Sequence, residues 1–157
     1  MSRPILYLSG PYSATEYSSV AENIEEARQF ALLAWRAGWA AFCPHLNTAH
    51  FETCCDLAHS DWMDGDLTFI ERMDPDRDAV LMLPYWSRSQ GALQEREAAL
   101  RRGIRVYQHL VLPPEQADED CRYFRRTRYE RHSYDTCASP ATVCPPGASC
   151  PIRRRAV

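Results

Sequence analysis

Four short β-prone runs, separated by helix-length segments with periodic apolar residues, constrain this chain more than any other feature. They are residues 5–9 (ILYLS), 39–43 (WAAFC), 79–84 (AVLMLP) and 104–107 (IRVY). Residues 79–84 form the most apolar short stretch, as a strand covered on both faces would, although periodicity does not by itself separate such a run from a buried helical turn. Between the first two runs, Val20, Ile24, Ala27, Ala31 and Ala34 recur at spacings of three or four. That spacing predicts an amphipathic helix over 20–37, with Gly38 as its C-terminal stop. A polar loop follows the second run and leads to Ser60, a candidate cap for a helix with Asp61 and Asp64 in its first turn and an end near Met73. A third helix is predicted over about 90–102, stopped by Gly103. The order β-α-β-α-β-α-β predicts an α/β fold over residues 1–109: a small Rossmann-like parallel sheet with helices on both faces.

The C-terminal extension has a different character. Residues 1–109 carry 10 Arg and 15 acids, a net of −5, whereas residues 110–157 carry 8 Arg and 6 acids, a net of +2. Pro113-Pro114 breaks the alternation; residues 110–135 read as an Arg-rich helical extension, and 136–157 as a Pro- and Cys-rich disordered tail. All 18 basic residues are Arg, so chemistry that needs a Schiff-base or phosphate-loop lysine is excluded. A net charge of −3 predicts no nucleic-acid surface. No apolar run approaches the roughly 20 residues of a membrane span, and Met1-Ser-Arg-Pro leads straight into a strand-like run. Seven cysteines, none in a CxxC pair, give little support to structural zinc and read as free thiols in a reducing cytoplasm.

In an open parallel sheet, ligands bind beyond the carboxyl ends of the strands. Three segments are expected to meet there: SGPYS (9–13), HSDWMDGD (59–66) and YWSRSQGALQE (85–95). The first is neither a P-loop nor a dinucleotide fingerprint, since both GxxxxGK[ST] and GxGxxG are missing. Glu95 lies near the start of its helix, one turn after Gly91, which leaves the approach to the carboxylate uncovered. The helix N-terminus is expected to favour its ionised form, as suits a nucleophile. Asp66 is the second candidate, its pKa expected to rise by repulsion from Asp61 and Asp64. Two carboxylates about 5 Å apart across a sugar would permit retaining glycosyl transfer. His45, His50 and His59 match no zinc spacing, and HExxH is absent; His45, directly after Cys43-Pro44, is the one expected to point into the site. Trp62 and Trp86 are candidates to stack on a base.

Taken as an ordered set, LYLSGPYS, AENIEEARQFALLAWRAG, CPHLNTAH, DWMDGDLTFIERMD and DAVLMLPYWSRSQGALQEREAALRRGIRVY resemble the nucleoside 2-deoxyribosyltransferase-like superfamily over about residues 4–108. The resemblance is strongest to a small bacterial and phage branch of unknown function (DUF4406-like). Its most specific piece is Ser89, Gly91, Glu95 and Ala99, preceded by the strand Asp78 to Leu83. It implies that Glu95 attacks the anomeric carbon with departure of the base, and that Asp66 positions the sugar and manages the proton, with Asp64 or Asp61 as alternatives. Tyr7 and Gly10 correspond to pocket-lining residues of the first strand and its loop. Ser89 stands where the nucleoside transferases carry Asp and the nucleoside monophosphate N-glycosidases carry Ser. A carboxylate would repel a phosphate dianion, whereas a hydroxyl at a helix start can donate to it. Ser89, with Ser9, Ser13 and Arg88, therefore points to a nucleotide.

The resemblance thus implies hydrolysis of the N-glycosidic bond of a (deoxy)nucleoside 5′-monophosphate, with no cofactor and no metal. The alternatives are base exchange by a nucleoside 2-deoxyribosyltransferase and a non-catalytic nucleotide-binding or sensing domain. It also implies a homo-oligomer, dimer or larger, in which a neighbouring copy completes the site. Relatives in that branch read LPGW where this chain has Leu83-Pro84-Tyr85-Trp86.

Overall fold

The alternation folds as a four-stranded parallel sheet. A computed structural model of the chain describes residues 2–16, 18–110, 124–129 and 132–137. Its elements are β1 (Ile5–Ser9), α1 (Val20–Arg36), β2 (Ala40–Phe42), α2 (Pro44–Asn47), α3 (His59–Glu71), β3 (Ala79–Met82), α4 (Gln90–Arg101) and β4 (Arg105–Tyr107), followed by β5 (Phe124–Tyr129) and β6 (His132–Cys137). Short 3-10 turns occupy Phe51–Thr53 and Trp86–Arg88. The sheet order is β2-β1-β3-β4, with Tyr7 opposite Val80, Ser9 opposite Met82 and Val80 opposite Val106.

This order explains why both faces are covered. The chain steps from β1 to β2 in one direction and from β2 through β3 to β4 in the other. Right-handed crossovers then place α1 on one face and α3 and α4 on the opposite one. Side-chain alternation along the strands follows suit. Leu6, Leu8 and Leu81 pack with Ala27, Phe30, Ala31 and Ala34 of α1. Tyr7, Val80 and Met82 face the other way, onto Ile70, Met73, Ala92, Ala98 and Ala99. The step direction reverses between β1 and β3, opening a crevice at their carboxyl ends.

Helix termini follow the sequence with one exception. Ser19 and Glu22 form a reciprocal cap at the start of α1, and Gly38 and Gly103 take positive φ (100° and 74°) just past α1 and α4. Ser60 is not the cap of α3. The helix starts two residues earlier than a Ser60 cap would set it, with Ala58 at the cap position, and the Asp61 carboxylate in the first turn accepts the Ala58 N–H at 2.8 Å. The stretch read as a polar loop also contains α2, which Pro44 opens with its preset φ.

The Arg-rich extension corrects a second expectation. Over 124–129 and 132–135, instead of a helix, β5 and β6 pair antiparallel from Phe124 opposite Cys137 to Tyr129 opposite His132; residues 111–123 and 130–131 of the expected helix lie outside the described residues. Aromatic and β-branched residues (Phe124, Thr127, Tyr129, Tyr134, Thr136) give the segment a strand preference that its Arg content masked. Thr136 and Cys137, assigned to the tail, belong to β6; the rest of the expected tail lies outside the described residues. No helix among the described residues is long and apolar enough to cross a membrane.

Candidate functional site

The crevice between β1 and β3 is built around Glu95. Tyr7 and Ser9 lie two apart on β1 and therefore face α4 together. The Tyr7 hydroxyl donates to Glu95 Oε1 at 2.7 Å, and the Ser9 hydroxyl donates to Oε2. Glu95 is 6% exposed, so it is no solvated member of the charged run with Arg96 and Glu97. Burial pushes its carboxyl up to about 7, against the two hydroxyl donors and with help from the charge of Asp66. The expectation of a carboxylate kept ionised by the helix start is thereby corrected. Glu95 is the sixth residue of α4, and the helix field fades within the first turn, leaving desolvation as the larger effect.

A cavity of about 680 Å³ opens above this carboxylate. Glu95 and Asp66 both line it, on α4 and α3 respectively. Burial alone pushes the half-buried Asp66 carboxyl up to about 6. Repulsion from Asp61 and Asp64, the expected cause, is not what raises it. Asp61 is occupied at the start of α3, and neither residue lines the cavity.

The His45 ring is held in one orientation beside the cavity. It lines the cavity, is 4% exposed, and its Nε2 lies 2.9 Å from the Pro11 carbonyl, to which it can only donate. Nδ1 is then an acceptor, and it is buried without a partner. Burial also lowers the imidazole pKa, which keeps that acceptor neutral. Such an orphaned acceptor is rare in a folded protein unless a ligand or water meets it.

The two glycines have different physical reasons. A Cβ on Gly10 would lie 2.7 Å from Leu83 Cβ, so only glycine lets the loops after β1 and β3 approach this closely. A Cβ on Gly91 would crowd the Met63 sulfur at 3.1 Å, on the wall of the cavity. Ser89 caps α4 by accepting the Ala92 N–H at 3.2 Å, which leaves its own hydroxyl proton to donate outward.

The structure brings Gly10, Ser13, His45, Asp66, Ser89, Gly91 and Glu95 to the cavity wall. Tyr7 and Ser9 lie behind Glu95 and act on it rather than on the cavity. Trp86 does not line the cavity: it packs against the α3–α4 core, with the Arg96 guanidinium 5.3 Å from its ring centre. Trp62 does line it and is the aromatic available to a flat ligand. His59 reaches the rim, whereas His50 does not line the cavity. Among the described residues no group of three or more His, Cys, Asp or Glu is placed to hold a metal ion. Cys43, Cys54 and Cys55 are free, and burial pushes the Cys43 thiol up to about 11, away from nucleophilic use.

Sequence reasoning missed two residues that shape the walls. Asn23 donates to the carbonyls of Tyr12 and Ser13 and so fixes the loop after β1. Its signal was available: it stands four residues before Ala27, a polar residue on the buried stripe of α1. Tyr12 accepts the His50 N–H at 2.9 Å and donates to Glu52 at 2.8 Å, tying the first loop to the turn at Phe51–Thr53. This tie supports His50 in its left-handed conformation (φ 61°). Nothing in the sequence announced it, because the partners lie about forty residues apart.

No curated protein matches the chain. A family model matches residues 3–110, the whole of the parallel-sheet unit and most of the chain, and its description differs from the DUF4406-like branch that the motifs suggested. The chain belongs to the family described as Domain of unknown function (DUF1937).

Proposed function

We propose that the chain hydrolyses the N-glycosidic bond of a (deoxy)nucleoside 5′-monophosphate, through a covalent glycosyl intermediate on Glu95. One observation carries this reading: a buried carboxylate, oriented by Tyr7 and Ser9, opens onto a cavity that a second carboxylate, Asp66, also lines. Glu95 attacks C1′ as the C1′–N bond breaks, and the bond pair passes to the base nitrogen. Asp66 supplies the proton that the departing base takes up. Water then attacks C1′, giving its proton to Asp66 and releasing Glu95 as carboxylate. The products are free base and sugar 5-phosphate.

Other parts of the cavity suit the same ligand. Trp62 offers a face to the base, and the hydroxyls of Ser13 and Ser89 offer donors to the phosphate.

The test incubates the protein with each 2′-deoxynucleoside 5′-monophosphate, with and without a second base, and resolves the products by chromatography. Free base with sugar phosphate supports hydrolysis; a new nucleotide assigns base exchange instead. Peptide mass analysis of quenched turnover should find the pentosyl phosphate on the Glu95 peptide. Tight nucleotide binding with no base released and no ester would refute the proposal and leave a sensing role.

A further inference from the structure

Tyr85 occupies an unusual place for an aromatic residue. Its backbone is left-handed (φ 60°, ψ 13°), a conformation that favours glycine, and its side chain is 56% exposed. The ring is not buried in the core, and the turn geometry does not require one. One contact of the ring bears directly on the cavity. The Arg88 guanidinium carbon lies 5.4 Å from its centre, within cation–π range. The backbone joins the two residues in one tight turn, Arg88 N–H donating to the Tyr85 carbonyl at 2.9 Å.

Arg88 in turn lines the cavity beside Ser89, Gln90 and Gly91, where α4 begins. It is the one arginine among the described lining residues, whose acids are Glu52, Asp66 and Glu95. An anion is repelled by those carboxylates and attracted at the Arg88 end, where the Ser89 proton is also available. A long arginine loses much rotamer freedom on binding a ligand, and a ring that already holds the guanidinium reduces that loss.

We propose that Tyr85 positions Arg88 at the cavity mouth as the anchor for a sugar-phosphate group, making this pair a determinant of preference for phosphorylated over unphosphorylated ligands. The inference rests on the nucleotide reading for its ligand class but not on bond cleavage. Tyr85 is a positioning residue, acting through Arg88.

The test titrates 2-deoxyribose 5-phosphate, with 2-deoxyribose as the uncharged control, into the wild-type chain and three variants by calorimetry. Arg88→Gln should weaken sugar-phosphate binding roughly ten- to hundred-fold, the scale of a charge-assisted contact. Tyr85→Gly should weaken it about three- to five-fold, the scale of an exposed cation–π contact, and Tyr85→Phe should restore it. Tyr85→Gly should melt no lower than wild type, since glycine fits the left-handed backbone, so a loss of binding is not misfolding. With a nucleotide substrate the Tyr85→Gly loss should fall on KM. Equal affinity in wild type and Arg88→Gln overturns the inference, as does a Tyr85→Gly chain that binds like wild type. If no nucleotide loses its base but the binding pattern holds, the anchor stands and the glycosidase reading falls. If base release proceeds while Arg88→Gln leaves KM unchanged, the anchor falls alone.

Discussion

Replacing Glu95 with Gln should make the protein more stable at alkaline pH. Burial raises the Glu95 carboxyl from its ordinary 4.5 to about 7, so the folded chain holds a proton over a pH range where the unfolded chain has lost it. The stability contributed by this group is therefore full below about 4.5 and declines as pH rises through about 7. At 1.36 kcal/mol per pKa unit, the whole decline is about 3 kcal/mol. Gln is isosteric and uncharged; its carbonyl still accepts from one hydroxyl, and its amide donates to the other after that hydroxyl rotates. Asp66, whose carboxyl also sits high, is present in both chains and largely cancels in the difference. Urea denaturation at half-unit intervals from pH 5 to 9 measures the effect. Glu95→Gln should match wild type within about 1 kcal/mol at pH 5 and exceed it by about 3 kcal/mol at pH 9. A difference that stays flat with pH, or that shifts in favour of wild type as pH rises, refutes the claim that desolvation dominates at Glu95.

The remaining predictions concern activity and packing. With one carboxyl near 6 and the other near 7, kcat/KM for a nucleotide should follow a bell with limbs at those values, and Asp66→Asn should remove one limb; a flat profile between pH 5 and 8 would contradict the assignment. Gly10→Ala should destabilise the fold by about 1–3 kcal/mol, because the new Cβ meets Leu83 Cβ at 2.7 Å in a packed layer. Urea denaturation measures the cost, and a value within experimental error of zero would show that the two loops part freely.

The sheet was legible in the sequence because its signals are local. The runs at 5–9 and 79–84 announce buried strands, and the stripe through Ala27, Ala31 and Ala34 announces the helix that covers them. Glu95 and Asp66 were legible as candidates because loops at the carboxyl ends of parallel strands converge. Their protonation was not, since it depends on how much water each side chain loses. Trp86 illustrates the same limit: only packing decides whether an aromatic beside a site faces the ligand or the core, and here it faces the core and Arg96. The helix expected for 110–135 is replaced by strands over 124–129 and 132–135, for a different reason. Arg counts as a helix former in any local tally, but these residues pair across a hairpin, Thr127 with Tyr134 and Phe124 with Cys137, and a residue-by-residue tally does not register cross-strand pairing.

The order of the two carboxyl pKa values has a consequence for mechanism. The proposed chemistry needs Glu95 ionised and Asp66 protonated, yet burial leaves Glu95 the weaker acid of the two. The productive arrangement is then a minor one in the empty site, gaining weight only as positive charge develops on the sugar beside Glu95. Tyr7 and Ser9 work in the same direction, since hydroxyls that donate to a carboxylate favour its charged form. Tyr7→Phe should therefore raise the Glu95 value further. Because Glu95 is the higher of the pair, the limb that moves is the alkaline one, although the residue affected is the proposed nucleophile. Were Glu95 the lower, the same substitution would move the acid limb and leave the alkaline limb in place. A pH profile of kcat/KM for Tyr7→Phe beside wild type separates the two cases, and movement confined to the acid limb would show that the carboxylates are ordered the other way.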